Sequence, residues 1–213
     1  MQREQMLRDV RMALGRRPGQ PVPPPPPVRI VVPDVPMAKR VDSMLERVAA
    51  LAGKTLHARS TAEAREYVAS VIQGTTAVTS NAPFLRTCGI TDLPGVRSGI
   101  IDREELRSLC ATCEYGISSA DYALSDTGSL VMLSSREEAR LVSLLPPKHI
   151  AVVPASKLLT GLDELYSILP LPAGQTSSMV LITGPSRTAD IEQILVRGVH
   201  GPGEIHVVVV DGA

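Results

Sequence analysis

Residues Ile182 to Asp211 read ITGPSRTADIEQILVRGVHGPGEIHVVVVD. The stretch leaves an apolar run, Met179-Val180-Leu181-Ile182, and enters a polar turn, Thr183 to Asp190. An amphipathic segment follows, then the Gly-rich turn Gly198-Val199-His200-Gly201-Pro202-Gly203 and a final run from Val207 to Val210. Strand, polar turn, helix, Gly turn and strand make one βαβ unit, which implies a parallel sheet. The two turns hold more polar and charged groups than a connector needs, so the C-terminal quarter is expected to carry a site.

Upstream, the pattern repeats. Apolar spacing predicts helices over 37–52, 61–72, 102–112, 136–145 and near 156–169, and strands near 55–58, 75–79 and 149–153. The stretch ADYALSDTGSLVMLS, 120–134, reads as two strands around the turn Ser125-Asp126-Thr127-Gly128. Strands alternating with helices predict an α/β fold, an open and mainly parallel sheet with flanking helices and one antiparallel hairpin added. Residues 1–17 form a short amphipathic helix with Leu7, Val10 and Leu14 on one face, and the proline run GQPVPPPPP after it favours an extended spacer. The expected organisation is therefore an N-terminal helix and proline-rich linker over 1–27 and a single domain over 28–213.

Composition excludes several classes. Lys+Arg and Asp+Glu balance at 22 each, so no net field draws a polyanion, and with no Trp, one Phe and four Tyr there is little material for a base-stacking platform. Nucleic acid is not an expected partner. No apolar run reaches the roughly 20 residues that cross a bilayer, and the charged N-terminus lacks the apolar core of a signal peptide. Three cysteines in 213 residues make no disulfide framework. A cytoplasmic, reduced protein is expected.

Two turns are candidates for chemistry. If Gly184 to Asp190 joins a strand to a helix, its backbone N–H groups suit an anion, and Arg187 suits a carboxylate or phosphate. The same residues serve equally as a plain helix start, with Ser186 or Thr188 as cap and Arg187 in water. Asp126-Thr127-Gly128-Ser129 offers a carboxylate and two hydroxyls for a small polar ligand or a water, and equally for the hairpin's own hydrogen bonds. In an open parallel sheet both turns would lie at carboxyl ends of strands. Cys110-Ala-Thr-Cys113 has metal-like spacing but stands alone, with Cys88 the only other thiol, so no metal site is expected. His149 and His206 belong to strand-like runs; His200 alone occupies a site-like turn. No phosphate-binding Gly motif is present.

Three segments resemble the lactate-utilization protein C family, whose module is the LUD domain. They are GPSRTADIEQILVRGVHGPGEIHVVVVD (184–211), ALSDTGSL (123–130) and RLVSLLPPKHIAVVP (140–154), and the likeness extends over roughly 37–213. The resemblance implies a fold like those of ribose-5-phosphate isomerase, glucosamine-6-phosphate deaminase and the coenzyme A transferases. It also implies oxidation of L-lactate to pyruvate beside partner proteins that carry the iron–sulfur clusters, with no cofactor in this chain. Carried onto matching positions, the ligand contacts it implies are Asp126, Thr127, Gly128, Gly184, Ser186, Arg187, Thr188, Asp190 and Gly201. Asp126, Arg187 and His200 are the candidates for catalysis. Two other readings stand beside this one. In the first, a self-sufficient enzyme acts on a sugar phosphate or acyl thioester with Asp126 as base. In the second, a non-catalytic module, alone or as a homo-oligomer, uses the tethered N-terminal helix to bind a partner.

Overall fold

Residues 3–17, 19–21, 31–188 and 196–212 are described by the structure, a computed structural model. In chain order the elements are α1 (Arg3–Ala13), α2 (Met37–Ala50), β1 (Lys54–Ala58), α3 (Thr61–Val71), β2 (Ala77–Thr79), α4 (Pro83–Thr87) and β3 (Val96–Arg97). Next come α5 (Arg103–Thr112), β4 (Tyr115–Ser119), β5 (Tyr122–Leu124), β6 (Ser129–Leu133), α6 (Arg140–Leu144), β7 (Lys148–Pro154) and β8 (Leu158–Leu159). The chain closes with α7 (Leu162–Ile168), β9 (Met179–Ile182), β10 (Arg187–Thr188), β11 (Val196–Arg197) and β12 (Glu204–Val210).

Six strands form the main sheet in the order β1-β12-β7-β4-β2-β3, every pair parallel. Its centre is made by the unbroken runs Ile150–Val153 and Val207–Val210, all buried, as befits strands covered on both faces. On one face Ala64 and Val68 of α3 and Leu85 of α4 pack against Ile117, Ile150 and Val208. On the other, Val41, Met44 and Val48 of α2 meet Ala151, Val207 and Val209, while Cys110, Cys113 and Val142 cover Val78. Helix starts follow local chemistry. Ser60 Oγ accepts from Glu63 N at 3.2 Å and Glu63 answers with a bond from Arg59 N, and Asp102 accepts from Glu105 N at 2.8 Å. Leu7 and Val10 of α1 and Leu14 just after it are exposed, and α1 buries nothing.

A second sheet, β8-β5-β6-β9, lies over the main one. The hairpin expected around 125–128 is its β5–β6 pair, so the antiparallel addition is half of a separate sheet. Gly128 closes that hairpin at φ +70°, and a Cβ there would stand 2.7 Å from Arg47 Cβ of α2. The outer face of this sheet packs under Leu165 of α7.

The C-terminal stretch departs from its expected form. Met179–Ile182 is β9, antiparallel to β6 in the small sheet, whereas β12 sits between β1 and β7 in the large one. They do not flank one crossover, so this is not a βαβ unit. Arg187–Thr188, in the expected polar turn, and Val196–Arg197, in the expected helical segment, are paired antiparallel strands, and 189–195 lies outside the described residues. The reason is that four apolar residues in a row fit any strand with a covered face. Leu181 is 42% exposed, which suits an edge of a small sheet and not the middle of a parallel one. The helix expected near 156–169 is also shorter: a 3-10 turn at Ala155–Lys157 and strand β8 precede α7.

Candidate functional site

The two turns singled out in the sequence do meet, although not at the carboxyl ends of the parallel strands. Ser129, paired beside β9, links them through hydroxyls: Thr127 Oγ1 lies 2.8 Å from Ser129 Oγ, which lies 2.7 Å from Thr183 Oγ1. Both turns lie along the C-terminal half of α2, Gly128 against Arg47 and Gly184 against Leu51. Asp126 is exposed, its N–H bonded to Thr160 O, and its carboxylate stands over Gly161 where a Cβ would meet Oδ2 at 2.5 Å. Arg187 donates to the carbonyl of Leu51, the residue that ends α2, and so caps that helix. Thr188 belongs to β10, and Ser186 bonds through its backbone to Pro202 and Gly198. Asp190 lies outside the described residues. Arg187→Ala is expected to fray the end of α2 and cost about 1 kcal/mol, read as a lower denaturant midpoint. Unchanged stability together with lost ligand affinity would make Arg187 a ligand contact instead.

Under these turns is a cavity of about 190 Å³, lined by Gly184, Ser186, His200 and Gly201 and, on the sheet side, by Ile205 and His149. It lies at the amino ends of β7 and β12. His149 is fully buried; its Nε2 lies 2.7 Å from Ser118 Oγ and its Nδ1 has no partner among the described residues. Burial, with the nearby His206 ring, pushes its pKa down to about 3, so the ring is neutral.

A larger cleft, about 760 Å³, lies at the opposite edge of the sheet, where β2 ends. Here the chain runs outward from β2 to β3, while β4, β7 and β12 extend the other way. This is the topological switch at which open α/β sheets bind ligands. Arg86, Arg103 and Arg136 line the cleft with Glu137, and none of the three arginines has an ion-pair partner among the described residues. Asn81 is held by its amide: Nδ2 donates to Ile100 O at 2.8 Å, which leaves Oδ1 buried and unpaired. In the wall behind, Glu138 is buried, and burial raises its pKa to about 8 against the hydrogen bonds from Ser80 and Ser119. Guanidinium groups around a cleft, with an unpaired amide oxygen on a lining residue, suit an anion that also carries a donor.

The LUD domain family model matches residues 41–210. The chain belongs to the LUD domain family. Similar proteins include lactate utilization protein C of Halalkalibacterium halodurans, 39% identical over 112 residues, 51% of this chain and 49% of that one. The Bacillus subtilis protein of the same name is 42% identical over 91 residues, 41% of this chain and 38% of its own length. The matches thus span about half the length of these curated relatives or less. A crystal structure of a DUF162 family protein from Deinococcus radiodurans superposes with a TM-score of 0.64 over 83% of this chain and 99% of that one. At 18% identity it shows the fold alone.

Within this LUD domain the sequence reading located one cluster and missed another. Gly184, Ser186, His200 and Gly201 share the smaller cavity, and Thr127 joins them through Ser129; Asp126 and Arg187 face elsewhere. Ser80, Asn81, Glu138 and the three arginines come from the loop after β2, α4, α5 and the loop before α6, which no local motif connects. The available signal was the switch from Ala77-Val78-Thr79, a buried strand, to polar Ser80-Asn81 at its carboxyl end. Cys110 and Cys113 pack with Val78 and Val142, and burial raises the Cys110 thiol to about 11, which suits apolar packing. Among the described residues no helix is long and apolar enough to cross a membrane.

Proposed function

We propose that this LUD domain chain is the cluster-free subunit of an iron–sulfur-dependent system that oxidises L-lactate to pyruvate, and that its larger cleft takes the small carboxylate. The cleft carries the reading: three arginines without ion-pair partners line it at the sheet's switch point, beside the unpaired Asn81 acceptor. Relatives named lactate utilization protein C support the pathway. Iron–sulfur clusters belong on partner proteins in this reading, because the three thiols here are buried separately or in apolar packing.

The cleft is tested by calorimetric titration of the full chain with L-lactate and pyruvate. Arg103→Ala with Arg136→Ala is expected to weaken binding by about tenfold or more, the loss of at least one charge-assisted hydrogen bond, with the melting temperature unchanged. Equal affinity in the double variant would remove the cleft from the reading. Purification of the tagged chain from its host under anaerobic conditions, scanned for iron–sulfur absorbance and lactate-dependent dye reduction, tests the partnership. A colourless, partner-free protein would overturn it.

A second reading, an enzyme acting alone on a sugar phosphate or acyl thioester, draws support from the cleft's volume, which exceeds the needs of a three-carbon acid. Tighter binding of inorganic phosphate than of pyruvate would favour it. Asp126 would not be its base in this cleft, whose lining lacks that residue.

A further inference from the structure

A buried, hydrogen-bonded serine and glutamate stand in the wall of the larger cleft. Ser80, the residue after β2, lines the cleft and is 3% exposed. Its Oγ donates to Glu138 Oε2 at 2.6 Å, and the N–H of Ser119 at the end of β4 donates to the same oxygen at 3.2 Å. Glu138 is 5% exposed, and its other oxygen, Oε1, is buried with no partner among the described residues. A carboxyl group in that position is an expensive way to hold two strands, since an amide would satisfy the same donors without a charge to desolvate. Its distinct capacity is to gain and lose a proton, and the hydroxyl at 2.6 Å connects it to the cleft.

We propose that Ser80 and Glu138 form a proton relay opening on the cleft, serving an anionic ligand that also carries a hydroxyl. The relay rests on the cleft being a ligand site, as argued above. In the deprotonating direction the ligand O–H bond breaks and a new O–H bond forms at Ser80 Oγ. The proton Ser80 gives up passes to Glu138, so the negative charge moves from the carboxylate to the ligand oxygen, beside the arginines. The reverse transfer returns the proton. No electron or co-reactant is involved. Ser80 touches the ligand; Glu138 acts through it.

The charged neighbours set the direction. Asp121, on the loop after β4, opposes a second negative charge at Glu138. Glu137 lines the cleft with Arg86, Arg103 and Arg136. Burial is the largest influence and holds Glu138 protonated up to about pH 8, so near neutrality the pair acts as a proton donor and above that pH as an acceptor.

Two measurements decide this. Infrared difference spectroscopy of the full chain reads the protonated Glu138 carboxyl, identified by its absence in Glu138→Gln. Its deuterium exchange is expected to be fast in the natural chain and about tenfold or more slower in Ser80→Ala; equal rates would overturn the relay. Calorimetry with L-lactate in buffers of different ionisation enthalpy then counts protons. Above about pH 8, where Glu138 is ionised, binding of the lactate anion is expected to draw a proton from the buffer onto Glu138, and Glu138→Gln to take up none. Undiminished proton exchange in Glu138→Gln would equally overturn the relay. Absence of any L-lactate or pyruvate binding would instead sink the carboxylate reading of the cleft, leaving the exchange rates to judge the relay.

Discussion

Gly116→Ala is expected to destabilise the protein by about 3 kcal/mol or more, at the upper end of what overpacking costs. Gly116 lies in β4, a central strand paired on both sides with β2 and β7. A Cβ added there would stand 1.9 Å from the Val142 carbonyl oxygen and 2.9 Å from Pro146 Cγ. The first obstacle is backbone, so no rotamer change relieves it. α6 would have to lift off the sheet, pulling Val142 away from Val78, Cys110 and Cys113. Urea unfolding should show a lower midpoint with the slope retained. A loss below about 1 kcal/mol would mean that α6 does not sit on β4 as described.

The second large effect is on the pH dependence of stability. Glu138 is raised from 4.5 to about 8 by burial, so the folded chain holds a proton that the unfolded chain releases. Its contribution is complete below pH 4.5 and is lost as pH rises toward about 8. His149 is lowered from 6.5 to about 3, so its contribution is complete above pH 6.5 and is lost as pH falls toward about 3. Between 4.5 and 6.5 the two slopes cancel, which predicts a plateau. On the alkaline side, from 6.5 to 8, the loss is about 2 kcal/mol, and a similar loss falls between 4.5 and 3. Asp121, also raised by burial, contributes stability that is lost as pH rises above 3.8, and His206, lowered by burial, stability that is lost as pH falls below 6.5. Thermal melts across this range should trace the plateau. Glu138→Gln should flatten the alkaline limb and raise the melting temperature above pH 8. A natural chain that gains stability from pH 6.5 to 8 would contradict the burial of a protonated Glu138.

Much of the architecture is legible along the chain because its signals are local. The Val207–Val210 and Ile150–Val153 runs announce strands buried on both faces, and Ser60 and Asp102 mark helix starts by their own side chains. Ser125 to Gly128 marks the hairpin because a left-handed backbone position needs glycine. Met179–Ile182 misled because sheet membership is not local: four apolar residues specify a strand, while its partner is chosen by what covers it. The turns at 126–129 and 183–187 stand out in sequence, and folding joins them through Ser129, yet it also spends Arg187 on capping α2.

The amino-acid sequence by itself determined an α/β chain with a parallel sheet core, the hairpin at Asp126, and membership in a recognisable family, since periodicity, turn chemistry and contiguous motifs are written residue by residue. Tertiary structure alone decided that β9 and β12 lie in different sheets and that Glu138 reaches Ser80 across 58 positions of chain. It alone brought three arginines to the rim where β2 ends and left the Asn81 oxygen unpaired beside them. Burial and proximity between distant segments are properties of the packed chain, and those are what set a buried, protonated glutamate behind a serine that lines the cleft.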